Sequence, residues 1–148
     1  MFNDKEGFVC YILGKRNSGK TTLLSKMLIN DTLLCNKFDE IYIISPTFKY
    51  QKLLHKYEFT HIINEYDNEY LLNLMKDFEN IESEEKITRL FIFDDCLAEE
   101  DFKSNDTGRN AINYMALNGR HLGISLVVLS QKYKGLSTDF RKQIDYLI

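Results

Sequence analysis

Four short runs of the chain are apolar at nearly every position: Phe8 to Leu13, Ile41 to Ile44, Leu90 to Phe93 and Ile124 to Leu129. They are continuous rather than alternating, rich in Ile, Val, Phe and Tyr, and too short for helices. That pattern predicts strands of a parallel sheet covered on both faces. Helical periods lie between them: Leu23, Leu24, Met27 and Leu28 after the first run, and Tyr70, Leu71, Leu74, Met75 and Phe78 before the third. Both should form amphipathic crossover helices. A third helix is expected over Asn110 to Asn118, with Ile112, Met115 and Ala116 on one side and Gly119 as its stop. Strand alternating with helix predicts an α/β sandwich. Phe59 to Ile63 is expected to add a short strand. Ile144 to Ile148 reads as the first half of another, so the chain is expected to be a fragment of a longer domain. The acidic stretches Glu65 to Asp67, Glu79 to Glu85 and Glu99 to Asp101 read as solvated loops and helix ends.

Composition narrows the classes that fit this pattern. A length of 148 residues sets one domain, residues 1–148, as the ceiling. Nineteen Lys and Arg against 22 Asp and Glu leave a net charge of -3, so the chain is no strongly basic nucleic-acid binder. Contact with DNA has to be local or assembled by oligomerisation. Cys10, Cys35 and Cys96 lack the spacing of a zinc site or a disulfide framework, which points to a reducing, intracellular compartment. The amino terminus carries acids where a targeting peptide is basic, and no apolar run approaches the ~20 residues of a membrane span.

The candidate chemistry begins directly after the first strand. Gly14-Lys15-Arg16-Asn17-Ser18-Gly19-Lys20-Thr21 fits GxxxxGK[ST] and runs straight into an amphipathic helix. The glycines let the backbone fold into a nest of N–H donors, and the helix points its positive end at phosphates. Residues Gly14 to Thr22 are therefore the expected nucleotide-binding set. Within it, Lys20 would reach the β- and γ-phosphates of ATP and the Thr21 hydroxyl would ligate Mg²⁺.

The third strand ends in Asp94-Asp95, which puts two carboxylates at the carboxyl edge of the sheet, where the phosphate loop also sits. Asp94 would hold Mg²⁺ opposite Thr21, and Asp95 would orient or deprotonate the attacking water. The fourth run ends Leu129-Ser130-Gln131, so Gln131 reaches the same edge and could sense the γ-phosphate. Arg120 precedes that strand and Arg141 follows it; either is an arginine-finger candidate or a plain solvent-facing side chain, the second being the commoner case for a single Arg. His121 reads as a packing or solvent residue. Modest positive charge at Gln131 to Gly135 and at Arg141-Lys142 is compatible with contacts to DNA phosphates and equally with a plain surface.

Taken together, the phosphate loop Gly14 to Thr21, the strand end Ile92-Phe93-Asp94-Asp95 and the stretch Asn118-Gly119-Arg120-His121-Leu122-Gly123-Ile124-Ser125 running to Gln131 resemble the poxvirus-type DNA-packaging ATPases of large DNA viruses. That group belongs to the FtsK/HerA branch of P-loop ATPases. The resemblance spans about residues 8 to 148, and its third motif is the most specific. It implies a RecA-like three-layer P-loop core with a mainly parallel sheet, and Mg²⁺-dependent ATP hydrolysis. It also implies a homo-oligomeric ring that moves viral double-stranded DNA into capsids alongside capsid or packaging proteins, in the host-cytoplasm virus factory or the virion. It assigns Lys20 and Thr21 to phosphate and metal, Asp94 to metal, Gln131 to the polar sensor, and prefers Arg120 as the finger. Asp95 stands where cellular members commonly carry Glu, and the viral packaging type shares the Asp.

Three other readings were open. Asn36-Lys37-Phe38-Asp39 spells the guanine-reading NKxD, but it precedes the second strand instead of following a late one, and no DxxG follows the third. A nucleoside or nucleotide kinase shares the phosphate loop but needs an Arg-rich lid, and the chain holds five scattered Arg. A non-catalytic P-loop scaffold would bind nucleotide without turnover.

Overall fold

The computed structural model describes residues 2, 6–81, 85–103 and 110–148. Residues 82–84 of the acidic stretch at 79–85, and Met1 and Asn3 to Lys5 of the amino-terminal segment, lie outside the described residues.

The strands are β1 (Val9–Leu13), β2 (Glu40–Ile44), β3 (His61–Ile63), β4 (Arg89–Asp94), β5 (Ile124–Ser130) and β6 (Tyr146–Leu147), and the helices are α1 (Lys20–Ile29), α2 (Asn68–Glu79), α3 (Ala111–Asn118) and α4 (Thr138–Lys142). The six strands form one sheet in the order β3-β2-β4-β5-β1-β6. Every pairing is parallel. All strand carboxyl ends therefore lie on one edge.

Side chains alternate across the sheet, which explains why the runs are apolar throughout. Val9, Tyr11, Phe91, Phe93, Leu126 and Val128 face one side, packed with Leu71 and Met75 of α2, Ile112 and Met115 of α3 and Phe140 of α4. Cys10, Ile12, Leu90, Ile92, Val127 and Leu129 face the other, packed with Leu24, Met27 and Leu28 of α1. Leu34, Leu54, Phe48 and Phe59 complete that second side. The β2 to β3 connection is thus a layer built of turns where the preceding connection has a helix.

One local expectation shifts and two short elements are added. The extra strand is His61–Ile63, shorter than Phe59 to Ile63, because the Phe59 ring packs edge-on against Phe48 at 5.6 Å. Helix α3 ends as expected, with Asn118 its last residue and Gly119 its carboxyl cap. The chain tightens into a 3-10 turn over Gly119–Leu122 and turns at Gly123, with φ 69°. A Cβ on Gly123 would also lie 2.5 Å from the Ile87 carbonyl oxygen, so glycine is required there. Helix α4 was not anticipated: its five residues are too few to show a period, and its signal is Ser137, whose side chain caps Phe140 N–H.

Candidate functional site

The phosphate loop occupies the carboxyl edge of β1. Gly14 N–H donates to the Ser130 carbonyl at 3.0 Å, anchoring the start of the loop to the neighbouring strand β5. The two glycines serve different ends. A Cβ on Gly14 would come within 2.3 Å of Ser18 Oγ, so Gly14 supplies space. Nothing lies near a Cβ on Gly19, whose φ of 91° is the requirement instead. Asn17, with φ 60°, adds a second left-handed residue, which Asn tolerates better than most.

Helix α1 then starts without a side-chain cap. The other three do not: Asp67 caps α2, Asn110 caps α3 and Ser137 caps α4. No acid lies in the first turn of α1 either, so its N–H donors and positive dipole end face outward, the arrangement that binds phosphate. Lys20 is 8% exposed and folds back over the loop, its ammonium donating to the Gly14 carbonyl at 2.8 Å and the Lys15 carbonyl at 3.2 Å. Lys15, Arg16, Asn17, Ser18 and Thr22 are exposed around it, and Thr21 is half-buried.

Strand β4 lies two strands from β1, with β5 between them and Asp94 in register with Leu129. Two strand spacings put that carboxylate about 10 Å across the edge from the loop strand. Asp94 is 2% exposed. Its Oδ2 accepts from Ser45 Oγ at 2.9 Å and Gln51 Nε2 at 2.6 Å. Burial pushes its pKa above the ordinary value of 3.8, with those two donors opposing the rise. Asp95 behaves differently. Its φ of 48° is left-handed, a costly conformation for a non-glycine residue. Its carboxylate lies 3.5 Å from the Lys20 ammonium, its N–H donates to the Leu129 carbonyl at 3.0 Å, and its side chain is 36% exposed. The following Cys96 thiol is pushed up to about 12 by burial and stays neutral.

Gln131 is exposed just past β5 and lines a cavity of about 480 Å³ with Asp95, Ser130, Glu99 and Lys132. The structure therefore brings Lys20, Thr21, Asp94, Asp95 and Gln131 to one edge. Arg120 is elsewhere. It sits before β5, at the amino edge, where it makes a two-pronged ion pair with Asp145 at 2.8 and 2.7 Å. Arg141 packs over the Tyr133 ring at 5.4 Å. Ser45 and Gln51 were missed. Ser45 carries a legible signal, being the first polar residue past the apolar run of β2, whereas Gln51 comes from a segment with no period.

Among the described residues no group of three or more His, Cys, Asp or Glu could hold a metal ion. The hydroxyl of Thr21 and the carboxylate of Asp94 are nevertheless hard oxygen donors of the kind magnesium takes. That ion needs only one or two protein ligands when substrate phosphates complete its shell. The fit is further supported by the buried Asp94 carboxylate, which a nearby divalent charge would hold ionised.

The family model described as Poxvirus A32 protein matches residues 3–148. The chain belongs to that family. The resemblance carried by its three motifs is thereby borne out. Solved structures share the A32 chain's fold. B204, the DNA-packaging ATPase from Sulfolobus turreted icosahedral virus, superposes with a TM-score of 0.68 at 21% identity, over 99% of this chain and 75% of that one. B204 from Sulfolobus turreted icosahedral virus 2, a genome-packaging NTPase in complex with AMPPCP, gives 0.66 at 22% identity over 99% and 74%. The N-terminal domain of zonular occludens toxin from Neisseria meningitidis gives 0.55 at 21% identity over 94% and 74%. No curated protein sequence matches. No helix among the described residues of the A32 chain is long and apolar enough to cross a membrane.

Proposed function

We propose that this A32-family chain is an ATP-hydrolysing motor subunit that packages viral double-stranded DNA into capsids, acting in the virus factory or the virion. The observation that carries the reading is the convergence at one sheet edge of an uncapped helix start, a glycine loop with Lys20, and two carboxylates in unlike environments. The loop N–H groups and the first turn of α1 bind the β- and γ-phosphates, and Lys20 neutralises their charge. Asp95, partly exposed, holds and polarises a water for in-line attack on the γ-phosphorus. The water oxygen bonds to phosphorus, the bond to the bridging oxygen of ADP breaks, and the proton passes to Asp95. Gln131 is placed to hydrogen-bond the γ-phosphate or that water. Thr21 and Asp94 would hold magnesium, which when bound offsets charge on the phosphate oxygens. Ser45 and Gln51 keep the Asp94 carboxylate oriented.

Arg120 lies on the edge opposite its own loop, so it serves as an arginine finger only toward the site of a neighbouring copy, in a homo-oligomeric ring. Membership of the A32 family and the paired carboxylates favour this reading over a kinase. The test is steady-state ATP hydrolysis with and without duplex DNA. DNA-stimulated turnover is expected, falling about 10³-fold in Lys20→Ala. Tight nucleotide binding without turnover would instead leave a nucleotide-gated scaffold.

A further inference from the structure

The β2 to β3 connection carries exposed positive charge with no acid among its own residues up to Tyr57. From Ile41 to Tyr57 there is no Asp or Glu, as is also true of residues 7–30, which hold the phosphate loop and α1, and of residues 107–138. Between Ile41 and Tyr57 stand Lys49, Lys52 and Lys56, all exposed. None of the three is ion-paired among the described residues, a condition they share with Lys132, Lys134 and Lys142. Lys49 lies 4.8 Å over the ring of Tyr50, which is 72% exposed beside Leu53 at 47%.

This segment is well held. Leu54 is fully buried under it, and successive turn bonds tie Gln51 to Phe48, Leu54 to Gln51 and Tyr57 to Leu54. His55 Nε2 is fixed at 2.7 Å from the Phe48 carbonyl oxygen. The inward side chains pin the segment and leave the lysines and Tyr50 outside. It is also wired to the nucleotide site at two points. Gln51 donates to Asp94, and Tyr57 Oη donates to the Ser25 carbonyl of α1, the helix that follows the phosphate loop.

We propose that residues 48–57 are the surface on which this chain grips the phosphate backbone of duplex DNA, and that Gln51 couples that grip to Asp94. The proposal rests on the packaging reading. Lysines without ion pairs on a preorganised platform offer positive charge to backbone phosphates without reading bases, as a motor working along any sequence requires. Exposed Tyr50 adds an apolar face for the sugar edge. Gln51 acts as a positioning residue, since it touches the metal-binding carboxylate and not the reacting atoms.

The test compares the wild-type chain, Lys49→Gln/Lys52→Gln/Lys56→Gln, Lys132→Gln/Lys134→Gln/Lys142→Gln and Gln51→Leu. Fluorescence anisotropy with a labelled mixed-sequence duplex is read across salt concentration, alongside ATP hydrolysis. The first triple variant is expected to weaken duplex binding by about tenfold or more, to lower the salt slope by about 0.9 per lysine removed, and to keep DNA-free hydrolysis. Gln51→Leu is expected to keep duplex binding while losing stimulation of hydrolysis by DNA. Unchanged binding and slope in the first triple variant, with loss confined to the second, would overturn the proposal and leave the packaging reading standing. A wild-type chain that hydrolyses ATP but neither binds nor responds to duplex would remove both. An acidic peptide that binds the wild type and not the triple variant, with duplex binding the same in both, would reassign the surface to a protein partner and also overturn the proposal.

Discussion

The two edges of the sheet are built on opposite terms. Along the amino edge, charges are matched. Glu40 accepts from Arg89 Nε at 2.7 Å, Arg89 lies 3.8 Å over the Phe78 ring, Asp39 accepts from Thr88 N–H at 2.7 Å, and Arg120 meets Asp145. Along the carboxyl edge the same kinds of group are left costly. Asp94 is a buried carboxylate whose pKa is driven up by desolvation, Asp95 sits at positive φ, and α1 alone among the helices starts uncapped. Both edges belong to the same six strands, so the contrast is not one of sheet quality. One edge is optimised for the fold, and the other holds strain and a buried carboxylate for a ligand to offset.

Arg120→Ala tests whether the quiet edge is only structural. Its ion pair is more than one-third exposed on the Arg120 side, so the fold should lose less than about 1 kcal/mol. If the side chain reaches a neighbour's site, turnover falls by about 10³-fold while nucleotide affinity is kept. Mixing Arg120→Ala with Lys20→Ala chains then restores part of the activity, because a Lys20→Ala chain can still lend its Arg120. Hydrolysis unaffected by Arg120→Ala would leave the amino edge purely structural and turn the search to Arg141.

Asp94→Asn sharpens the other side of the comparison. Hydrolysis should fall by about 10²-fold, yet the thermal midpoint should rise by about 2–4 °C. The raised pKa means that the folded chain holds this proton more tightly than the unfolded chain. The ionised form therefore opposes folding at neutral pH, and stability is regained as pH falls through the folded value. Asparagine keeps an acceptor oxygen for Ser45 and Gln51 and removes the charge. Calorimetry of both chains across pH reads the difference, which should narrow in acid. A variant less stable than wild type at neutral pH would show that Asp94 belongs to the structural economy of the fold.

Much of this contrast was legible before the structure. Strands buried on both faces announce themselves as unbroken apolar runs, and their order with the helices placed Gly14, Asp94, Asp95 and Gln131 on one edge. What escaped were contacts made by aperiodic chain. Gln51 and Tyr57 reach Asp94 and Ser25 from turns whose shape is set by burying Phe48 and Leu54. No spacing rule encodes such contacts. The stop of α3 at Gly119 was legible, whereas the 3-10 turn that continues to Gly123 was not, because its four residues are too few to show a period. Only the nearby Ile87 carbonyl shows which of the two glycines needs positive φ.

The smallest expected effect lies at Asp39. The Thr88 N–H, and then the Thr88 hydroxyl at 2.9 Å, hold its carboxyl below the ordinary value of 3.8. A depressed carboxylate stabilises the fold above its unfolded pKa and loses that contribution as pH falls through the folded value. Asp39→Asn should therefore cost about 1 kcal/mol or less at neutral pH, with the gap to wild type closing below about pH 4. Chemical denaturation at a series of pH values measures it. The direction is opposite to that expected at Asp94, where lowering the pH favours the wild-type fold. Two carboxylates at the two edges of one sheet should thus bend the stability curve in opposite senses. If both variants shifted it the same way, the division between a settled edge and a strained one would fail.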